Sequence, residues 1–205
     1  MTPEFTNAAT PLLVGILDLA KRAATGEARS ADTERTAMVA AFEAALAKTR
    51  GPRGEEWTLA SYALAALVDE LMIVEIPWAG RTWWENHAIE VELFGTRRRA
   101  TEFFERAAKA ATLPEKDALT LYAAAVVMGF RGVLRDKPDA LDAWMRSNAP
   151  SLRISDGRPT TPSRVHGLPG APPLPHAVGL IWHSLVTIAL VSMLAVTCWW
   201  AWVIS

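Results

Sequence analysis

The chain has 205 residues with 21 basic and 22 acidic side chains, which gives a formal net charge of −1. This balance excludes a general electrostatic attraction to nucleic acid or to anionic lipid. The only cysteine, Cys198, has no second cysteine with which to form a disulfide. The N-terminal region also lacks the basic start and uninterrupted apolar run of a secretory signal, so we expect the charged part of the chain in the cytoplasm.

Apolar residues recur at helical spacing through the charged part, and we find neither an internal repeat nor a convincing strand pattern. Proline and N-cap residues mark helix starts, whereas glycine or the residue before a proline marks helix ends. The pattern therefore predicts an all-α cytoplasmic domain over residues 1–156. Its seven or so helices are expected at residues 10–25, 30–49, 56–74, 82–94, 98–111, 114–134 and 138–147.

The third predicted helix is apolar nearly all round, so we expect it at the centre of the fold. Asp69 and Glu70 interrupt this pattern near its C-terminal end, where the helix dipole disfavours negative charge. One interpretation gives the two acids an exposed helix edge or a partner inside the fold, such as Arg81 or Arg131. The other places them in a groove that receives a basic or hydrogen-bonding partner. A catalytic pair is disfavoured because no His, Ser or Lys stands nearby in sequence.

Three tryptophans, Trp78, Trp83 and Trp84, follow this helix within seven residues. We expect them to cap the core where the helix ends. Because an indole N–H needs a hydrogen-bond partner, one of them is also a candidate for a contact surface.

The acids and histidine that follow could suggest a metal site, since His87 and Glu90 would share a helix face. A metal needs three or four convergent ligands with a supporting shell, and no matching motif appears elsewhere in the sequence. We therefore expect His87 to be solvated or hydrogen bonded, and neither a metal nor another cofactor to be bound.

Two further motifs have local interpretations. The basic triplet at residues 97–99 is expected to pair with Glu102 and Glu105 at helical spacing, with anionic lipid headgroups as a weaker alternative. The glycines at 129 and 132 are expected to break a helix or allow close helix approach, with Phe130 inserted into the core.

All charged residues precede Val165. Residues 157–175 contain six prolines and three glycines, which indicates an extended tether. Residues 178–203 are predicted to form a transmembrane helix, because 26 helical residues extend about 39 Å and the hydrocarbon layer is about 30 Å thick. The residues expected at its membrane ends are Trp182 and His183 on one side and Trp199, Trp200 and Trp202 on the other.

Arginines at positions 153, 158 and 164 precede this predicted span, and no charge follows it. The positive-inside rule therefore also places the N-terminal domain in the cytoplasm. The expected architecture is a cytoplasmic helical domain anchored in the membrane by its own C-terminal helix.

Several segments together resemble the DotU/TssL (IcmH/DotU) family of bacterial type VI secretion systems. Residues 62–70, YALAALVDE, are similar to the family segment YALCALIDE. Further similarities in order and spacing are Pro77-Trp78 followed by Trp83, then Glu102-Phe103-Phe104, and then residues 128–132, MGFRG, with Arg135. The predicted C-terminal anchor completes the resemblance, which is good over residues 56–135.

This resemblance implies a hook-like domain of two small helical bundles, tail-anchored in the bacterial inner membrane, with no catalytic activity. It implies an IcmF/TssM-type membrane partner, an outer-membrane-side lipoprotein reached through that partner, and docking of baseplate proteins. Asp69 and Glu70 correspond to the family's acidic docking pair, and Trp78 and Trp83 are further partner-binding candidates. Self-association, a membrane adaptor unrelated to secretion and an enzyme using the acidic pair remain alternatives.

Overall fold

The computed structural model describes residues 1–49 and 54–152, so the predicted tether and membrane span lie outside the described residues. The chain divides into two units between Gly157 and Arg158, and the described residues all belong to the first. Its described part is all-helical and contains no strand. The α-helices are α1 (Pro3–Thr25), α2 (Ala31–Lys48), α3 (Gly54–Glu70), α4 (Arg81–Asn86), α5 (Ile89–Phe94), α6 (Arg99–Ala110), α7 (Asp117–Val127) and α8 (Pro138–Asn148).

Helix α3 lies at the centre, as its apolar sequence predicts, and packs against α1, α5, α6 and α7. Its alanines are fully buried and allow neighbouring helices to approach closely: Ala60, Ala63, Ala65 and Ala66. A single π-helical turn, Leu71–Glu75, continues α3 before Pro77. Because π turns are rare and concentrate at functional sites, this end of the helix is a candidate functional region.

The apolar sequence of α3 is also compatible with a membrane-spanning helix. Within the described residues, Gly54–Glu75 is 22 residues long, has a mean hydropathy of 1.5 and could cross a membrane by length and composition. However, 89% of its most apolar window is buried among the other helices. A buried core helix and a membrane span have the same composition, and the packing identifies this one as a core helix.

Three predicted helix boundaries are wrong. Helix α1 begins at Pro3 instead of residue 10, so Pro11 lies inside the helix on its exposed side. The helix predicted over 82–94 is two helices separated at His87 and Ala88. The helix predicted over 114–134 extends only over Asp117–Val127 and is followed by a turn and a short 3-10 segment, Gly132–Leu134.

The turn after α7 confirms the role predicted for its glycines. Gly129 and Gly132 have φ angles of +121° and +49°, which L side chains rarely adopt. This reversal turns Phe130 into the core, where it is fully buried and stacks on Phe103 with ring centroids 3.8 Å apart. A β-carbon at Gly132 would lie 2.6 Å from the carbonyl oxygen of Ala100, so the turn touches the first residues of α6.

The α1–α2 hairpin is fastened by one buried acid, Glu34. Its carboxylate accepts hydrogen bonds from Arg22 at 2.7 Å and from the Arg29 side chain and backbone at 3.0–3.1 Å. The hydrogen bonds from Arg29 are the main cause that lowers the Glu34 pKa to about 2, against the opposing effect of burial. The Glu34 carboxylate is therefore ionised at neutral pH, and its ion pairs with Arg22 and Arg29 hold the hairpin together.

Substitution by alanine should have opposite effects at two glycines, Gly132 in the turn after α7 and Gly15 on α1. Gly132→Ala combines a strained φ with a backbone clash, so we expect a loss of about 2–4 kcal/mol of unfolding free energy. Gly15→Ala lies on α1 with open space around the new methyl group and should gain about 0.5–1 kcal/mol. Urea denaturation of both variants measures the difference. Equal stability of the two variants would contradict this account of the turn.

Candidate functional site

Asp69, at the end of α3, is fully buried and hydrogen bonded within the fold. Its carboxylate accepts the indole N–H of Trp84 at 2.9 Å and the backbone N–H groups of Ile89 and Glu90 at 2.9 and 2.8 Å. The last two bonds cap α5, whose own N-cap residue, Ala88, has no side-chain acceptor. This tertiary cap starts a new helix at Ile89 and explains why the predicted helix over 82–94 is divided.

The protonation of Asp69 is subject to opposing influences. Burial raises the pKa of its carboxyl above the usual value, and the hydrogen bonds from Glu90, Ile89 and Trp84 and the charge of Arg99 offset this rise only in part. All three donors favour a carboxylate that accepts only. Asp69 is therefore a structural acceptor whose capacity is used inside the fold.

Glu70 is also almost fully buried, but it faces a different part of the fold. One oxygen accepts the backbone N–H of Gly132 at 3.1 Å and Nη2 of Arg135 at 2.7 Å, and Nε of Arg99 lies 3.7 Å from the other oxygen. Arg135 also donates to Glu75 at 2.6 Å. Glu70 thus joins the end of α3 to the turn after α7 and to the start of α6.

Of the two interpretations of the acidic pair, the geometry supports the one in which both acids have partners inside the fold. Neither of them uses Arg81 or Arg131. Arg131 instead donates to the backbone carbonyl oxygens of Val126 and Phe130. A direct role of Asp69 and Glu70 in partner binding stays a prediction, and the described contacts give both residues a positioning role.

The three tryptophans lie at the end of α3, but they have different environments. Trp84 is fully buried, and Trp78 packs edge-on against it while donating its N–H to the carbonyl oxygen of Met72 at 2.9 Å. Trp83 is partly exposed and stacks on the exposed ring of His87, with centroids 4.0 Å apart. Trp84 therefore belongs to the core, whereas Trp83 contributes to the surface.

A groove of about 710 Å³ lies beside these tryptophans. The segment of residues 77–80 and Trp83 form one side, and the α1–α2 turn at residues 23–32 forms the other. Trp78 and Trp83, the two partner-binding candidates, both line it. The structure therefore brings these two side chains to one concave surface, whereas the acidic pair lies beneath the surface.

Glu90 is a buried residue whose role the sequence did not suggest. One of its carboxylate oxygens accepts Tyr62 Oη at 2.8 Å, Thr96 Oγ1 at 2.5 Å and the backbone N–H of Arg98 at 2.9 Å. The last bond caps α6. The only available signal was an acid between apolar Ile89 and Val91, which does not identify partners that lie far away in sequence.

The metal interpretation gains no support from the described residues. Among them, no group of three or more His, Cys, Asp or Glu side chains is arranged to hold a metal ion. His87 is exposed, and its Nδ1 lies 2.8 Å from the carbonyl oxygen of Trp83, as expected for a hydrogen-bonded histidine. The predicted membrane residues Trp182, His183, Trp199, Trp200 and Trp202 lie outside the described part of the chain.

The basic triplet does not pair as expected. Arg99 contacts Glu70, and Arg97 donates to backbone carbonyl oxygens at the end of α4. Glu102 pairs instead with Arg106, one turn further along α6. Tertiary contacts thus replace the local pairs that helical spacing suggested.

Replacing either acid by its amide should reduce stability. Asp69→Asn places an amide NH₂ against at least one of three buried donors, and Glu70→Gln removes the negative charge that Arg135 and Arg99 face. We expect Asp69→Asn to lose about 2–4 kcal/mol of unfolding free energy and Glu70→Gln about 1–3 kcal/mol. Asp142→Asn, on the exposed face of α8, is the matched control and should change stability by less than about 0.5 kcal/mol. Wild-type stability of Asp69→Asn in chemical denaturation would exclude this positioning role.

Comparison with known proteins agrees with this architecture. A family model described as type VI secretion system protein DotU matches residues 4–204. Among solved structures, the chain is similar to the cytoplasmic domain of TssL from Acinetobacter baumannii, with a TM-score of 0.57 and 18% identity over 71% of this chain and 94% of that chain. At this identity the likeness shows the fold alone. No curated protein sequence matches. Since the family model covers nearly the whole sequence, the chain belongs to the DotU family of type VI secretion system proteins.

Proposed function

We propose that this protein is a non-catalytic structural component of a type VI secretion membrane complex. It is anchored in the bacterial inner membrane by residues 178–203, with residues 1–156 in the cytoplasm. There it links a TssM/IcmF-type membrane protein to the cytoplasmic baseplate, and reaches an outer-membrane-side lipoprotein through that membrane protein. The observation that carries the proposal is the DotU family match over residues 4–204, which includes the helical domain, the tether and the predicted span.

The bonding of the acidic pair supports a scaffold over an enzyme. A general acid or base must exchange a proton with a bound substrate, so its carboxyl group must be accessible to that substrate. Asp69 and Glu70 are instead buried and hydrogen bonded to donors of the fold. Their arrangement is suited to holding neighbouring segments in place.

The groove beside the acidic pair is our proposed docking surface for a baseplate protein. Partly exposed aromatic side chains on a fixed backbone are typical of energetically important interface positions. Asp69 supports this surface indirectly, because it accepts the N–H of Trp84, which packs against Trp78 of the groove. Trp83 is its most direct contact candidate, since it is partly exposed and rigidly stacked.

Removing the predicted anchor should release the protein from the membrane. The full chain is expected to sediment with inner membranes, resist extraction by high salt or alkaline carbonate, and dissolve in detergent. Deleting residues 177–205 should move nearly all of it to the soluble fraction, since the predicted 26-residue span is lost. A control with residues 159–175 replaced by a glycine–serine linker should remain in the membrane. A full chain that stays in the aqueous fraction would contradict the proposal.

Co-purification from detergent-solubilised membranes tests the scaffold role. The tagged full chain is co-expressed with the other type VI secretion subunits of the organism it comes from. Both the large membrane partner and a baseplate protein should co-purify with it. Trp83→Ala should lower baseplate recovery at least fivefold while melting temperature changes little, because Trp83 lies outside the core.

Leu46→Ala is the matched control, since it removes a 48% exposed apolar side chain on α2, away from the groove. It should leave baseplate recovery unchanged. Recovery of neither partner by the wild-type chain refutes the proposed function, whereas an unaffected Trp83→Ala variant refutes the groove as the docking surface.

A further inference from the structure

The surface above Glu70 is basic, although the residue beneath it is acidic. Two arginines cover the carboxylate: Arg135 at 2.7 Å from one oxygen and Arg99 at 3.7 Å from the other. The Arg135 and Arg99 side chains are 37% and 20% exposed, whereas Glu70 is 4% exposed. A partner that approaches the acidic pair from this side therefore meets guanidinium groups first.

Two segments form this surface, which we name the basic face: residues 97–100, at the start of α6, and residues 131–137, in the turn after α7. The close approach of Gly132 to the carbonyl oxygen of Ala100 joins them. Together they contain six basic side chains and one acid, Asp136. Within the described residues, ion pairs join Arg99 and Arg135 to Glu70 and Arg135 to Glu75, so the two segments carry more positive than negative charge.

Three of these arginines have guanidinium N–H groups that make no short hydrogen bond within the described residues. The side chain of Arg98 makes no hydrogen bond or ion pair within the described residues, and Arg97 makes only long bonds of 3.3–3.4 Å to backbone carbonyl oxygens. Arg135 is held by Glu70 and Glu75 through a single nitrogen, Nη2. Its other N–H groups are therefore held in position for an incoming acceptor, which lowers the entropy cost of binding.

The basic face also has an apolar element. Val133 lies between Arg131 and Arg135 in the turn after α7, and its side chain is 48% exposed. A membrane of anionic lipids is attracted through net positive charge and does not need a fixed guanidinium beside a single exposed valine. Oriented cations around an apolar side chain are better suited to a protein segment, because charge complementarity sets its register and the apolar contact adds affinity.

We propose that the basic face binds an acidic segment of a partner protein, in which Asp or Glu side chains flank an apolar residue. This inference rests on the proposed function, because it assigns the chemistry of one partner of the scaffold. It also reverses the expectation that the acidic pair attracts a basic partner: Glu70 orients the arginines that make the contact.

The test uses the purified full chain in a neutral detergent and a fluorescein-labelled 12-residue peptide of glutamate and leucine. A peptide with lysine in place of glutamate is the matched probe. Fluorescence anisotropy should detect binding of the glutamate peptide, weakened by salt, and little binding of the lysine peptide. The double variant Arg97→Gln/Arg98→Gln should weaken binding about five- to tenfold without lowering the melting temperature, since neither side chain has a carboxylate partner.

The control is Arg81→Gln/Arg146→Gln, which removes two exposed positive charges from α4 and α8 and should leave peptide affinity within twofold. Equal binding of both peptides, or equal weakening by the two double variants, overturns the proposal. So does stronger binding of soluble dihexanoyl phosphatidylglycerol, which would indicate a lipid surface. If peptide binding fails but the complex still co-purifies, the basic face is refuted and the scaffold role stands. If co-purification also fails, the scaffold role fails with it.

Discussion

The fold depends on carboxylates that cap helices from other parts of the chain. Helices α5, α6 and α7 are among those that begin after residues whose side chains provide no cap, here Ala88, Arg98 and Lys116. Asp69 caps α5, Glu90 caps α6 and Glu56 caps α7, where it accepts the first two N–H groups at 2.8 and 3.2 Å. Because unsatisfied N–H groups at a buried helix start are costly, these acids fix where each helix begins and how it meets α3.

This constraint gives the acidic pair of this chain a physical role. Asp69 and Glu70 are neighbours in sequence, yet they point to different segments and hold both against the end of α3. Asp69 supports the groove through Trp84, which packs against Trp78, and Glu70 holds two arginines of the basic face. A charge reversal at Asp69 therefore perturbs the support of the groove, and one at Glu70 perturbs the basic face, so a loss of assembly does not by itself identify a contact residue.

The two proposed surfaces differ in chemistry. The groove has two tryptophans along one side, Trp78 and Trp83, and Trp83 also stacks on His87. The basic face combines oriented guanidinium groups with Val133. A scaffold that joins several subunits benefits from such separation, since partners of different character then compete less for the same surface.

Local patterns in the sequence determined the features that depend on neighbouring residues. The apolar sequence of residues 56–74 predicted the central helix, and the glycines at 129 and 132 predicted the turn that buries Phe130. The motif order around these segments also identified the family. Tertiary structure decided where α5 begins, which residues bond Asp69 and Glu70, and that the outer surface over an acid is basic. Those outcomes depend on donors 15–65 residues away, whose approach is set by helix packing and cannot be inferred from spacing along the chain.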